Sequence, residues 1–172
     1  MCGNGISVFD MAAITWPDTG RCFRTRVAIR FAHCDPAGII FFPQYLVLFN
    51  GLVEDWFNQA LRVPYAHMLG ADRIGLPIVH LECDFRAITR MGESTHFDLQ
   101  VERLGSRSIT LLLRCMGSDA QLRAVARKVL VFTSLDTHQA MQVPAHIRDA
   151  IEHWAAAQAA DLHPSLLSEK EA

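Results

Sequence analysis

Nowhere in the chain do eighteen uncharged apolar residues follow one another, so no helix of it is expected to span a bilayer. The first 22 residues, MCGNGISVFDMAAITWPDTGRC, also lack the basic n-region and continuous apolar h-region of an export signal, and they carry Asp10 and Asp18 instead. Close cysteine pairs are missing too. Cys2, Cys22, Cys34, Cys83 and Cys115 are odd in number and widely spaced, which argues against a structural zinc site and fits reduced thiols. None of the eight histidines is paired at i, i+4 on a helix, and His80 with Glu82 is a strand-face coincidence, so no metal and no cofactor is expected. Excess positive charge is absent as well. A net charge of -2 and a pI near 6.4 give no general attraction to nucleic acid or to an anionic membrane, so an anionic ligand must be met by local cations. With no internal repeat and no low-complexity tract, the sequence reads as a soluble cytoplasmic protein.

What is present is apolar material in two periods. At 172 residues and 51% hydrophobic content, the chain fills one core with apolar surface left over, and an oligomer follows as the expectation. Residues 1–22 show no sustained period and read as a loosely ordered extension. Over 23–31, Phe23, Thr25, Val27, Ile29 and Phe31 alternate with Arg24, Arg26, Ala28 and Arg30, which suits a half-buried strand. Pro43 then opens a helix expected over 43–61, placed at its first position because the missing N–H has no intrahelical partner to lose. Leu46, Phe49, Val53, Trp56 and Ala60, with Tyr45, Leu48, Leu52 and Phe57 alongside, cover far more than one face, so other structure must wrap this helix.

Strands are expected over 78–88, 96–104, 108–116 and 122–134, separated by short turns and therefore paired antiparallel. A second helix follows at 145–161, with Ile147, Ile151 and Trp154 at helical spacing, and the tail beyond His163 reads as frayed. The expected fold class is α+β, a curved antiparallel sheet wrapped around a long central helix, with a C-terminal helix. The divisions are an extension (1–22), a main domain (23–144) and a C-terminal helix and tail (145–172). Free sheet edges favour pairing with a second copy, giving a homodimer or a tetramer built as a dimer of dimers.

Two features bear on chemistry. The start of an apolar helix offers free N–H groups and partial positive charge, which suit a carbonyl oxygen that becomes negative as the carbonyl is attacked. Because Pro43 has no N–H, the Phe42 amide and those just inside the first turn are the nearby donors. Asp35, on the loop feeding the helix, could attack such a carbonyl or activate water. The alternative for Asp35 is an Asx-type turn or N-cap, a role that Asp-Pro sequences commonly fill. Glu54, inside the helix, is the competing acid, and its plainer reading is a partly exposed helix residue. Cys34 beside His33 makes a poor nucleophile pair, since adjacent side chains on an extended segment point to opposite faces.

The stretch FAHCDPAGIIFFPQYLVLFNGLVEDWF, residues 31–57, resembles the active-site segment of the 4-hydroxybenzoyl-CoA thioesterase family of the hotdog superfamily. The likeness is densest from Cys34 to Pro43 and at Tyr45. Weaker matches run through Leu76-Pro77-Ile78-Val79, the turn between Arg103 and Ser108, and Val143 to Ile147. The resemblance implies a hotdog fold and hydrolysis of an acyl-CoA, aryl or medium-chain, with Asp35 as catalytic carboxylate and the Phe42 backbone amide as oxyanion donor. Phe41 and Tyr45 would then line an apolar acyl pocket, with Leu48 near it, and Arg107 and Ser108 would meet the phosphates of coenzyme A. His33 departs from the family's acidic residue at that position, and Phe42 replaces a histidine or tyrosine. Hydrolysis of thioesters on acyl carrier protein is the enzymatic alternative, and a silent acyl-CoA-binding protein is the non-enzymatic one. Arg123, Arg127 and Lys128 read together as an exposed strand face.

Overall fold

In the computed structural model, which describes residues 14–17 and 22–160, the alternation of the first strand ends sooner than its sequence pattern. Strand β1 covers Phe23–Ala28 with inward and outward residues alternating. The chain then turns through a 3₁₀ segment at Phe31–His33. Phe31, expected on the buried side, is 83% exposed, because the period of two stops where the strand does.

Helix α1 spans Phe42–Asp55 and continues through a π-helical turn at Trp56–Ala60, close to the expected extent. Tyr45, Phe49, Leu52, Val53, Trp56 and Phe57 are all buried. Burying each of the three large rings completely, Phe49, Trp56 and Phe57, contributes on the order of 2–3 kcal/mol. A short helix α2 (Tyr65–Gly70) follows, and a long one, α3 (Ala145–Ala160), closes the described chain. None of these helices is long and apolar enough to cross a membrane.

The main sheet is wholly antiparallel and contains β1, β3 (Ile78–Phe85), β4 (Ser94–Leu104), β5 (Ser108–Gly117) and β6 (Leu122–Val131). Its order is β1-β4-β5-β6-β3. The sequence led us to expect that successive strands pair. This holds for β4, β5 and β6, but β3 pairs with β6 at the far edge. Residues 86–93 do not form a tight hairpin because they are used to cross the end of the sheet. Along the way the Arg86 amide donates to Arg123 O, Ile40 donates to Thr89 O, and Gly92 donates to Ile29 O.

The expected last strand, 122–134, is also divided. Its end is β7 (Thr133–Ser134), which pairs with β2 (Ile74–Gly75), a strand absent from the sequence reading. Gly75 permits that pairing, since a Cβ there would lie 2.6 Å from Leu135 Cδ2.

Alternation sorts the strands into two faces. Phe97, Leu99, Ile109, Leu111, Leu113, Ala124, Ala126 and Leu130 face α1, and α3 joins this core through Ile147 and Ile151. Leu112 and Val125 face outward, and Ile14 of the N-terminal extension covers them. The Arg114 guanidinium stacks 4.1 Å above the Trp16 ring. Residues 14–17 are thus packed rather than loose, because they shelter an apolar patch on the outer face. The rest of that extension except Cys22, and the tail from His163, lie outside the described residues. Elsewhere the outer face is charged, with buried Asp98 held between Arg24 at 2.6 Å and Arg114 at 2.8 Å.

Candidate active site

The loop before α1 is a tight turn built by its own residues. Asp35, Pro36, Ala37 and Gly38 occupy turn positions i to i+3, and the Gly38 amide donates to Asp35 O at 2.9 Å. Proline suits i+1 by its fixed φ, and Gly38 takes φ +73°, where a side chain would be strained. The ends of the turn are pinned, since Cys34 and Ile40 form a β-bridge and the Asp35 amide donates to Ile39 O at 3.0 Å. Ile40 and Gly38 in turn bond to residues 89 and 91.

Asp35 is half-buried in this turn, and its Oδ1 accepts the Ala37 N–H at 2.9 Å. The Asx-turn reading is therefore realised. It does not use up the carboxylate, because Oδ2 has no partner among the described residues. One oxygen fixes the group's direction and the other stays available.

The helix start can be followed donor by donor. An α-helix leaves its first four N–H groups without intrahelical acceptors. Here the N-cap is Phe41, so Phe42 is the first helical residue and Pro43 the second, one place later than the sequence suggested. Phe41 donates to His33 O at 2.9 Å, Pro43 has no N–H, and Gln44 donates to Phe41 O at 2.8 Å. Only the Phe42 N–H is left open among the described residues. It is the donor that remains at the positive end of α1, at the foot of the hairpin that carries Asp35.

Beside it lies a cavity of about 310 Å³ lined by Ile39, Ile40, Phe42, Tyr45, Phe85, Arg86, Ala87, Ile88 and Thr89. An apolar cavity of about 150 Å³ already admits a benzene ring, so this one has room for an aryl or short alkyl group. The Phe42 and Phe85 rings meet edge to face, with centroids 6.1 Å apart. Tyr45 lends its ring to the wall, but its hydroxyl is committed to Thr89 Oγ1 at 2.7 Å. Burial raises that phenol to about 12, partly offset by the Thr89 hydrogen bond. Phe41 is not among the lining residues and stacks edge-on against Phe42 instead.

Other candidates are dispersed. Arg107 and Ser108 sit at the β4–β5 turn, while the Asp35 loop is tied to residues 89–91, ahead of the other end of β4. The eleven residues of β4, at roughly 3.3 Å each, put about 30 Å between them. No single ligand headgroup can touch both within one protomer. His33 accepts the Arg30 N–H through Nδ1 rather than bonding the Cys34 thiol, whose Sγ lies 3.5 Å from Arg30 O.

Glu54 is exposed, more than three turns along α1 from Phe42, on the wall of a second cavity. That cavity also contains Lys128, which was expected on an exposed strand face with Arg123 and Arg127; Arg123 is itself only 7% exposed, tied to Glu93. Arg127 does face outward, bonded to Glu102 and Glu82, but Lys128 faces inward and is 1% exposed. Its signal was the alternation Ala124, Ala126, Lys128, Leu130, which puts a cation at a core position of β6.

Residues 29–151 match the family model described as the thioesterase-like superfamily. The chain belongs to that superfamily. The 1,4-dihydroxy-2-naphthoyl-CoA hydrolase of Synechococcus elongatus is 28% identical over 126 residues, covering 72% of this chain and 90% of that one. A 1,4-dihydroxy-2-naphthoyl-CoA thioesterase from Synechocystis superposes with a TM-score of 0.70 at 22% identity, over 76% of this chain and 96% of its own. A gentisyl-coenzyme A thioesterase gives 0.67 at 21% identity, over 74% and 98%. These structural likenesses support the hotdog fold expected from the sequence. The superfamily match begins at Ile29, just past β1, and ends inside α3, so the outer-face segment with Ile14 and Trp16 lies outside it.

Proposed function

We propose that this thioesterase-like chain hydrolyses an acyl-CoA to the free acid and coenzyme A, with Asp35 as the catalytic carboxylate and the Phe42 amide as oxyanion donor. The observation that carries this reading is the helix start, where every N-terminal donor but the Phe42 N–H is absent or spent. A thioester oxygen placed there gains negative charge as its carbonyl carbon is attacked, and a preorganised amide at a helix end stabilises it. Asp35 Oδ2 either takes a proton from the attacking water or attacks the carbon itself, forming an anhydride that water then opens. In both routes the C–S bond breaks as the tetrahedral adduct collapses, and coenzyme A leaves as thiolate and takes up a proton.

The apolar cavity at Phe42, Tyr45 and Phe85 favours an aryl or medium-chain acyl group. The working unit is a homodimer. Among the described residues strand β3 is an edge on which Ile78 and Val79 are exposed, and Phe42, Phe85 and Ile88 add apolar surface at the site. Arg107 and Ser108 are a strand's length from Asp35 in one protomer, and we assign their role with the phosphates of coenzyme A to the turn of a second copy.

The test is thiol release from a panel of acyl-CoAs and acyl carrier protein thioesters by wild type, Asp35→Asn and Glu54→Gln. Loss confined to Asp35→Asn is expected. Loss confined to Glu54→Gln would transfer the role to the helix, and absence of turnover by wild type would favour a binding protein.

A further inference from the structure

The second cavity, about 460 Å³, lies between α1, α2, β3 and β6. Val47, Val53, Leu76, Ile78 and Leu130 give its walls an apolar part. At one point the wall is a buried cation. Lys128 occupies a core-facing position of β6 opposite Leu81 and Leu111, and its Nζ donates to Asn50 Oδ1 at 2.6 Å.

An ammonium has three N–H groups and no acceptor, so one bond leaves two donors unused. The same contact turns the Asn50 oxygen toward Lys128 and leaves the Asn50 NH₂ for another partner. The pair therefore offers only donors, one of them charged, on a cavity wall that also carries apolar side chains, Tyr65 and the exposed Glu54. An ammonium in such a place is costly without a counter-charge, and no carboxylate lies within salt-bridge distance of it among the described residues. Burial lowers Lys128 to about 8, with the neighbouring Cys83 acting in the opposite direction. The other titratable groups here are Glu54 on α1, Tyr65 on α2 and Cys83 on β3. Burial raises Tyr65, and raises Cys83 to about 11, so neither supplies a negative charge at neutral pH. Glu54 is the one carboxylate on the cavity wall; it is exposed and forms no ion pair with Lys128 among the described residues.

We propose that this cavity recognises an organic oxyanion on an apolar body, a carboxylate or an acidic phenol, with Lys128 and Asn50 as its donors. The oxyanion is either the far end of an acyl group or a separate free acid. The first source rests on the thioesterase reading above, whereas binding itself does not. In one protomer Asn50 is eight residues, about 12 Å, along α1 from Phe42, so an acyl group spanning both must be extended.

The experiment is calorimetric titration of the full chain with benzoate and with its neutral isostere benzamide, at pH 7. Benzoate should bind wild type and bind Lys128→Met about ten- to hundredfold more weakly, the range for losing a charge-assisted hydrogen bond. Lys128→Gln, which keeps polarity but not charge, should also lose it, and Arg127→Met, one residue along but on the opposite face, should not. Equal affinity for Lys128→Met, benzamide binding as well as benzoate, or no benzoate binding at about 10 mM would overturn the proposal. Turnover of adipoyl-CoA against hexanoyl-CoA, and of 4-hydroxybenzoyl-CoA against benzoyl-CoA, identifies the source. A preference abolished by Lys128→Met assigns the oxyanion to the substrate, and no such preference with benzoate binding intact assigns it to a free acid.

Discussion

Replacing Lys128 by methionine should stabilise the protein at neutral pH. The side chain is 1% exposed and its amine is lowered from the ordinary 10.5 to about 8 by burial. At roughly 1.36 kcal/mol per pH unit, that difference corresponds to a strain of about 3 kcal/mol in the charged form. Losing the hydrogen bond to Asn50 offsets about 1 kcal/mol. Methionine fills much the same volume without charge, leaving a net gain of about 2 kcal/mol, or a Tm higher by about 4–8 °C for a chain of this size.

The pH dependence follows from proton linkage. Between about pH 8 and 10.5 the unfolded lysine holds its proton while the folded one has shed it, so wild-type stability rises with pH through this window. The variant lacks that rise, and its advantage should shrink between pH 7 and pH 10. Urea melts of both proteins at the two pH values measure this directly. A variant less stable than wild type at pH 7, or an advantage that does not change with pH, would refute a strained, buried ammonium.

Three further outcomes are expected. Proline is well tolerated at the first position of a helix, and the N-cap Phe41, at ψ 125°, already has the extended backbone that a following proline requires. Phe42→Pro should therefore keep the fold and cost about 10²–10³ in kcat by removing the amide donor, while Phe42→Ala, which keeps the amide, should act mainly on KM. Tyr45→Phe should leave the Thr89 hydroxyl, buried at 0% exposure, without its partner and cost about 1–2 kcal/mol in a chemical melt, with kcat unchanged; a large fall in kcat would mean that the hydroxyl reaches the substrate. At Asp98, burial acts upward but is outweighed by the hydrogen bonds and charges of Arg24 and Arg114, so its carboxyl is held below the ordinary 3.8. Its contribution is present above that value and lost as pH falls through the lowered one, so Asp98→Asn should cost about 3 kcal/mol at pH 7 and flatten the acid limb of the stability curve.

What could be read from sequence depended on how local each signal was. The apolar excess of α1 and the alternation within β4, β5 and β6 are properties of neighbouring residues, and the helix wrapped by an antiparallel sheet follows from them. The Asp-Pro-Ala-Gly turn was legible for the same reason, since each residue type suits its own backbone position. The placement of β3 beside β6 was not legible, because it depends on the path taken by residues 86–93. Nor was the pairing of β2 with β7, two-residue strands with no period to detect. Lys128 was hidden by grouping it with Arg123 and Arg127 as a charge cluster, when the strand period separates it from Arg127. The distance between Arg107 and Asp35 likewise emerges only when the length of β4 is laid out in space.

In the proposed mechanism Asp35 and the open Phe42 amide act together on a thioester. Its most direct test is the initial rate of free thiol release from an aryl-CoA and a medium-chain acyl-CoA by wild type and Asp35→Asn, with matched melting curves. Wild type should turn over, and Asp35→Asn should lose about 10²–10⁴ in rate at unchanged stability. Turnover in Asp35→Asn within a few-fold of wild type would contradict the mechanism.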